Sequence, residues 1–414
     1  MLKDYYFASD VLSQFMSGPA GPYVDNFTQW LKMRGYAFIT VRHYVRNAAK
    51  FMEWATQNDI APETLSQTHL DVYRQFLESN DKLRSGQPGT YISYSAARGF
   101  VSFLQASGLA TKKPSAKYDS PEIPLLREFR EWILRHRGIA DATCNNYSRI
   151  VFDLVRTLGD VPEKYTVQSL RNFVSDRIGG YGPGQADRVV TSVRSFIKFL
   201  IATNSCPSTF EHIIPSVAGW RLSRFPRYMI ADDVEKVIKS CDPLTQTGAR
   251  DYAILLLLAR LGLRAGDVAA LTFNDIDWMQ GTFRVMGKGR REVQLPLPQD
   301  VGDAILYYID KWRPKSGSHR VFLTTIAPFS PIASHVVSQI ARRAILRARI
   351  KTPFHGAHVF RHSAATAMLR QGVPLEKIGR ILRHESIETT TIYAKVDVGM
   401  LQQLVIPWPK VTKC

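Results

Sequence analysis

Apolar side chains recur at helical spacing through most of the chain. Residues 44–60 and residues 147–158 show it most clearly, because apolar positions three and four apart fall on one face of a helix. The first stripe consists of Tyr44, Val45, Ala48, Phe51, Met52 and Ala55, and the second of Tyr147, Ile150, Val151, Leu154, Val155 and Leu158. The pattern predicts a mainly α-helical first half with aromatic cores.

Two parts of this first half resemble each other, with an offset of about 100 residues. The shared positions are Phe27 and Phe129, Trp30 and Trp132, Gly35 and Gly138, Thr40 and Thr143, Tyr44 and Tyr147, Arg98 and Arg194, Phe100 and Phe196, and Phe103 and Phe199. The repeat predicts two helical bundles on one plan, each of four or five helices. Basic, Pro-containing segments at 111–117 and 219–227 suggest domains of residues 1–115, 116–222 and 223–414.

The second half mixes helical patterns with one alternating stretch. Helices are predicted over residues 231–239, 247–259, 267–271, 333–349, 358–370, 374–382, 387–395 and 398–404. Residues 281–286 and 292–297 read as the two strands of a β-hairpin with Lys288 at its tip. The last domain is therefore expected to be α+β, with a small sheet.

The net charge of the chain indicates the class of its binding partner. The 414 residues include 54 Lys+Arg and 36 Asp+Glu, a net charge of +18, of which residues 221–414 carry +13. An excess of this size favours a polyanion, nucleic acid first, although a merely basic protein would also fit. With 45% hydrophobic residues, extensive disorder is not expected.

Membrane insertion and cysteine chemistry are not expected. The longest apolar run, residues 253–259, is far too short to cross a bilayer, and the first ten residues lack the apolar region of a secretory signal. Four scattered cysteines indicate neither a disulfide scaffold nor a zinc site. A cytoplasmic location is the expectation.

Six polar residues at structural breaks of the second half form a chemically coherent set. They are Arg264, Lys288, His358, Arg361, His384 and Tyr393. Arginine forks bind phosphate oxygens bidentately, and a tyrosine hydroxyl can attack phosphorus to give a covalent intermediate. With no carboxylate pair among them, the set suits a phosphodiester handled without a metal ion.

The same residues carry a resemblance to the tyrosine recombinases, the phage integrase family. Four segments stand in family order over residues 262–393: Gly262-Leu-Arg264-Ala-Gly-Asp267-Val-Ala-Ala-Leu271, Gly287-Lys288-Gly289 with the returning strand, His358-Val-Phe-Arg361-His362-Ser-Ala-Ala-Thr366-Ala, and Leu382-Arg383-His384-Glu-Ser386-Ile-Glu-Thr389-Thr390-Thr-Ile-Tyr393. Four ordered segments are far more specific than one short motif. The resemblance is close over the catalytic half, and it extends to the first half only as helical DNA-binding modules of the SAM-like type.

The resemblance implies a role for each matched position. Tyr393 is the nucleophile that forms a 3′-phosphotyrosine, while Arg264 and Arg361 clamp the scissile phosphate. Lys288 is the general acid for the leaving 5′-oxygen, with Arg290 and Arg291 as local competitors. His358 assists proton transfer, His384 hydrogen-bonds the phosphate, and Asp267 supports the site.

Three positions depart from the family pattern. Phe360 replaces Leu, Asp267 replaces Glu, and Arg383 replaces a Gly before His384. If that Gly has a positive φ, Arg is strained there, and it adds a cation near the phosphate. DNA contacts are expected from Arg290, Arg291, Arg342, Arg343, Arg347 and Arg383, although the basic helix 333–349 is as well explained by a solvated face.

The resemblance implies a site-specific recombinase, of integrase or transposase type, that passes through a Holliday junction without metal, ATP or other cofactor. Its expected partner is double-stranded DNA with inverted-repeat core sites, bound as a dimer per site and a homotetramer, in a bacterial cytoplasm at the nucleoid. The extra module, residues 1–115, is expected to lengthen the DNA footprint. A type IB topoisomerase, an inactive DNA-binding accessory protein and an RNA-binding helical protein are the alternatives.

Overall fold

The computed structural model describes residues 2–79, 88–110, 123–216, 227–286, 292–352, 355–384 and 388–393. The chain divides into two compact units, residues 1–110 together with 222–414, and residues 111–221. Large hydrophobic cores lie within residues 2–110, 126–214 and 229–360. The predicted domain boundaries near residues 115 and 222 fall outside the described residues and stay predictions.

Residues 2–110 form a helical bundle. Its helices are α1 (Ser9–Ser17), α2 (Gly21–Met33), α3 (Phe38–Gln57), α4 (Gln67–Ser79) and α5 (Pro88–Ala106), with 3-10 turns at Leu2–Asp4 and Pro62–Thr64. The apolar stripe of α3 faces the core, where Val45, Phe51 and Ala55 are at most 1% exposed. Burial of this stripe, rather than helix propensity, supplies most of the stability of such a helix.

Residues 123–214 form a second bundle, in which two helices, a 3-10 turn and two helices follow one another as they do from α2 to α5. It contains α6 (Pro124–Arg137), α7 (Asp141–Leu158), α8 (Val167–Ile178) and α9 (Pro183–Ala202), with 3-10 turns at Pro162–Lys164 and Ser208–His212. α8 begins with a capping box, in which Thr166 and Ser169 satisfy each other's backbone N–H groups. α6 ends at Gly138, whose φ of +53° is the left-handed conformation that commonly closes a helix.

Equivalent aromatic positions form matching clusters in the two bundles. Phe27 packs edge-on against Phe100 at 5.1 Å between ring centroids, and Phe129 packs edge-on against Phe196 at 5.4 Å. The corresponding tryptophan pairs are Trp30 with Phe103 at 6.0 Å and Trp132 with Phe199 at 5.8 Å. The repeated pattern thus produces similar aromatic packing in the two bundles, and the duplication of one module stays a prediction.

Residues 227–393 are mainly helical around a small sheet. The helices are α10 (Ala231–Lys239), α11 (Gln246–Leu261), α12 (Ala265–Ala270), α13 (Gln299–Tyr307, continued by a π-turn at Tyr308–Trp312), α14 (Ser334–Arg347), α15 (Ala357–Arg370), α16 (Leu375–Ile381) and α17 (Glu388–Thr391). The strands are β1 (Ile276–Asp277), β2 (Thr282–Met286) and β3 (Glu292–Pro296), antiparallel and in the order β1-β2-β3. The predicted hairpin is therefore present as β2 and β3, with Phe283 opposite Leu295.

The sequence reading missed two elements of this part and predicted one that lies outside the description. β1 has only two residues, too few for an alternating pattern, and α13 was not predicted at all. The predicted tail helix 398–404 lies outside the described residues.

The core of this part is built around α11. Its leucines 255–258 are at most 1% exposed, surrounded by α10, α13, α14 and α15. Among the described helices, none is long and apolar enough to cross a membrane.

Candidate active site

The predicted site residues stand at four places that the fold brings together. Arg264 directly precedes α12, while His358 and Arg361 lie in the first turns of α15. His384 follows α16, and Tyr393 follows α17. α11 ends at Gly262, which has a φ of +58°, so the chain turns sharply just before Arg264.

Both arginines are oriented by backbone carbonyls of one turn, residues 382–384. Arg361, only 3% exposed, donates from Nη1 to the carbonyl of Gly262 at 2.7 Å and from Nη2 to the carbonyl of Leu382. Arg264 donates from Nη2 to the carbonyl of Arg383 at 2.9 Å. The two guanidinium groups therefore converge on this turn from α12 and α15.

Tyr393 lies near Arg361, and its hydroxyl is paired with a histidine. The side chain is 1% exposed, and Oη lies 2.9 Å from Nδ1 of His362. Burial raises the pKa of Tyr393 to about 12, although the charge of Arg361 opposes the shift. A neutral tyrosine at pH 7 needs an acceptor for its proton before it can act as a nucleophile.

His362 can be that acceptor, and the sequence reading missed it. Burial, with contributions from the neighbouring His358 and Arg361, lowers its pKa to about 4, so the ring is neutral at pH 7. The family resemblance implies proton transfer at the tyrosine by His358, whose ring packs against that of His362 with 4.7 Å between the ring centroids. The available signal was helical spacing, since residues 358 and 362 lie on one face of α15.

The other two histidines flank the same space. Nδ1 of His384 lies 2.8 Å from the hydroxyl of the buried Thr390, which fixes the ring and leaves Nε2 for another partner. Burial, with the charges of Arg361 and Arg264, lowers the pKa of His384 to about 4. Partial burial of the ring and the same two charges also lower the pKa of His358.

Cations dominate the electrostatics of this cluster. Burial lowers the pKa of Arg361 to about 10, and the charge of Arg264 contributes to the shift. Mutual repulsion of this kind destabilises the charged forms, and a bound anion between the side chains would relieve it. Perturbed groups gathered around one space are typical of functional sites, and here the charge favours an anion.

Asp267 and Arg383 form an ion pair that contacts Arg264. Oδ2 of Asp267 accepts the backbone N–H of Arg264 at 3.0 Å and also accepts from Nη2 of Arg383 at 2.5 Å. Arg383 has a φ of +56°, so it adopts the left-handed conformation expected for the Gly it replaces. It is also 9% exposed, which differs from the surface DNA contact expected from the sequence.

Other predicted residues lie apart from this cluster or outside the description. Lys288, Arg290 and Arg291 are outside the described residues. On α14, Arg342, Arg343 and Arg347 are exposed as a DNA contact requires, but Arg347 also donates to Sγ of Cys241 at 3.0 Å. The predicted residues that the structure does bring together are Arg264, Asp267, His358, Arg361, Arg383, His384 and Tyr393.

Comparison with known sequences identifies relatives along the whole chain. Residues 227–399 match the phage integrase family. A Sinorhizobium fredii protein named as an integrase/recombinase, y4rA, is 35% identical over 417 residues, which cover 99% of this chain and 99% of the relative. Tyrosine recombinase XerD of Listeria innocua is 27% identical, and the match covers 66% of this chain and 94% of XerD.

Solved structures share the fold. XerH site-specific recombinase bound to palindromic difH substrate is similar with a TM-score of 0.54 at 18% identity, covering 67% of this chain and 83% of XerH. A lambda integrase dimer bound to a COC′ core site gives 0.52 at 18% identity, covering 70% and 98%. At such identities the likeness concerns the fold alone.

Proposed function

The chain belongs to the phage integrase family, the tyrosine recombinases, and from this we propose that it cleaves and rejoins DNA strands at specific sites through a covalent 3′-phosphotyrosine at Tyr393. The observation that carries the assignment of Tyr393 is its hydroxyl, 2.9 Å from a neutral His362 and beside the Arg361 guanidinium. A nucleophile, a base and a cationic binding group are thus together in one site.

The two arginines bind the scissile phosphate. Each presents a planar fork of donors to the non-bridging oxygens, and charge builds up on these oxygens as the tyrosine attacks phosphorus. Arg264 and Arg361 are held in place before DNA arrives, so little reorganisation is needed in the transition state. His384 donates to the same phosphate from the ring nitrogen that Thr390 leaves free.

Protons and bonds balance in the cleavage step. Oη of Tyr393 forms a bond to phosphorus as its proton passes to Nδ1 of His362, with His358 packed behind that ring. The bond from phosphorus to the 5′-oxygen breaks, and Lys288 protonates that oxygen, giving a free 5′-hydroxyl. Rejoining reverses the step, with a 5′-hydroxyl of a second duplex as the attacking group.

Neither a metal ion nor ATP is required by this scheme. Two guanidinium groups supply the charge neutralisation that a metal ion supplies in other phosphoryl transfers. The phosphotyrosine conserves the energy of the phosphodiester, so the second transfer is close to isoenergetic.

The assembly that fits this chemistry is a homotetramer on two duplexes, with a dimer on each inverted-repeat core site and a Holliday junction between the two exchanges. Solved relatives of this fold include a lambda integrase dimer on a core site and a lambda integrase tetramer on a Holliday junction. We place the activity in the bacterial cytoplasm, at the nucleoid. The relatives favour recombination over DNA relaxation or a purely accessory role.

Strand exchange tests this proposal. Two duplexes of different length, both carrying the DNA that flanks the coding sequence of this chain, are incubated with the protein in EDTA without ATP. We expect recombinant products of new length and a branched intermediate. Relaxation of a supercoiled plasmid by the protein, with no exchanged products from the duplexes, would contradict the proposal in favour of a topoisomerase.

A further inference from the structure

Arg383 occupies a position that is costly for an arginine. Its φ of +56° lies in the left-handed region, where a Cβ collides with the backbone and glycine is favoured. Its side chain is buried, and Nε and Nη1 have no hydrogen-bond partner among the described residues. Backbone strain and unpaired buried donors both reduce stability, and such costs concentrate at functional sites.

The residue joins two elements of the site. Its backbone carbonyl accepts from Nη2 of Arg264 at 2.9 Å, and its Nη2 donates to Oδ2 of Asp267. The same Oδ2 accepts the backbone N–H of Arg264 at 3.0 Å. Arg383 therefore touches Arg264 through its carbonyl directly and through Asp267 at the start of α12.

The position of the Arg383 side chain does not suit direct contact with DNA. The two unpaired nitrogens of Arg383 are buried, so no DNA phosphate reaches them in this arrangement. The guanidinium is instead paired with the carboxylate of Asp267. Its chemistry is thus directed at Asp267 and, through it, at the placement of Arg264.

We propose that Arg383 is a positioning residue for DNA cleavage: the Arg383–Asp267 pair fixes the Arg264 guanidinium on the scissile phosphate. The inference rests on the proposed function. Because the pair links α12 to the turn of residues 382–384, it also fixes the distance between Arg264 and His384, two groups that bind the same phosphate. Displacement of such a group by about 1 Å can slow a reaction about 100-fold.

Single-turnover cleavage of a nicked suicide duplex from the flanking DNA tests the proposal. Arg383→Gly removes the brace and suits the left-handed backbone, so the variant should fold and bind DNA with unchanged Kd. We expect it to form the covalent adduct about 100-fold more slowly than the wild-type protein. Arg383→Ala should be equally slow but less stable to denaturant, because it keeps a Cβ at the positive φ. Arg383→Lys, which can retain the ion pair with Asp267, should recover part of the rate.

A methylphosphonate at the scissile position separates positioning from general damage. It replaces one charged phosphate oxygen by a methyl group, so an arginine held on that oxygen matters less. In one of the two diastereomers the defect of Arg383→Gly should shrink markedly. Wild-type rates for Arg383→Gly, or an equal slowing on the phosphate and on both methylphosphonates, would overturn the inference while leaving the proposed function intact. Absence of any adduct with the wild-type protein would overturn both.

Discussion

Nδ1 of His362 lies 2.9 Å from Oη of Tyr393, the proposed nucleophile. Burial keeps the tyrosine protonated and the histidine neutral at pH 7, so the proton donor and the proton acceptor of the proposed step are in the required protonation states. The family resemblance implies this role for His358, whose ring packs against that of His362. His362 is therefore recognised as the proton acceptor only from the folded structure, in which Tyr393, after α17, packs against His362 on α15.

Substitution of His362 tests its role as the base. Asn places an amide near the position of Nδ1 and can keep the hydrogen bond, but it cannot accept a proton at pH 7. We expect both His362→Asn and His362→Ala to form the phosphotyrosine about 10²- to 10⁴-fold more slowly than wild type, the range for loss of a general base. The measurement is single-turnover adduct formation at saturating DNA.

The exposed His43→Gln on α3 serves as the control and should cleave at the wild-type rate. Recovery of the rate in His362→Asn but not in His362→Ala would show that the histidine only holds the tyrosine in place.

Acid should weaken the folded state through His362 and His384. The pKa of each is about 4 in the folded protein, against about 6.5 in an unfolded chain. Between these values the unfolded state binds more protons, so the free energy of unfolding is highest above pH 6.5 and falls as pH drops towards 4. Denaturant unfolding at pH 7 and pH 5 measures this.

The variant His362→Asn should lose less stability than the wild-type protein over the same interval, since one of the two groups is removed. His43→Gln should behave like wild type. An equal loss in all three proteins would place the acid sensitivity elsewhere in the chain.

At the scale of elements, the turn of residues 382–384 depends on the end of α11. A Cβ added to Gly262 would lie 2.7 Å from Cδ2 of Leu382, and the carbonyl of Gly262 also holds Arg361. Gly262→Ala should therefore destabilise the protein by more than the backbone cost of about 1–2 kcal/mol and slow cleavage as well. Denaturant unfolding and adduct formation measure the two effects.

Gly138 provides a matched control at the end of α6. Its φ of +53° is similar, but a Cβ there meets nothing within 4 Å. Gly138→Ala should show the backbone cost alone, with cleavage unchanged. If Gly262→Ala and Gly138→Ala lost equal free energy of unfolding, the proposed clash with Leu382 would be contradicted.

Long periodic elements could be predicted from the sequence, while short and long-range features could not. The stripe of α3 predicts that helix because it records one buried face, and the two acidic residues in the first turn of α10, Asp232 and Asp233, predict a helix start because they suit the helix dipole. β1 has no recognisable pattern in the sequence, since its two residues form a strand only by pairing with β2. Similarly, the neutral His362 and the buried Arg383 depend on neighbours about 30 and 120 positions away in the chain.

At the scale of the whole molecule, only a few of the basic residues behind the net charge of +18 belong to the proposed active site, and the others are available to bind DNA. Three exposed cations, Arg42, Arg46 and Lys50, follow one another at four-residue spacing along α3. They lie on one face of the helix, as a row of phosphate contacts would require. The extra module is expected to bind DNA through this face.

Neutralising two of these charges tests the expectation. Arg46→Gln with Lys50→Gln should lower DNA affinity, reduce the slope of log K against log salt by about 2, and shorten the nuclease footprint. Removal of the paired charges Arg74 and Glu78 on α4 by Gln substitutions is the control and should leave the slope unchanged. A normal slope and a full footprint in the first variant would show that α3 does not contact DNA.

The central claim, attack by Tyr393 on a DNA phosphate, is tested most directly by identifying the covalent bond. A nicked suicide duplex labelled on the strand that keeps the 3′-phosphate is incubated with wild-type protein or Tyr393→Phe in EDTA, then denatured and digested with trypsin. The account predicts a wild-type DNA–peptide adduct whose modified residue is Tyr393, and no adduct from Tyr393→Phe, which retains wild-type DNA affinity. An adduct in Tyr393→Phe, or a wild-type adduct on another residue, would contradict it.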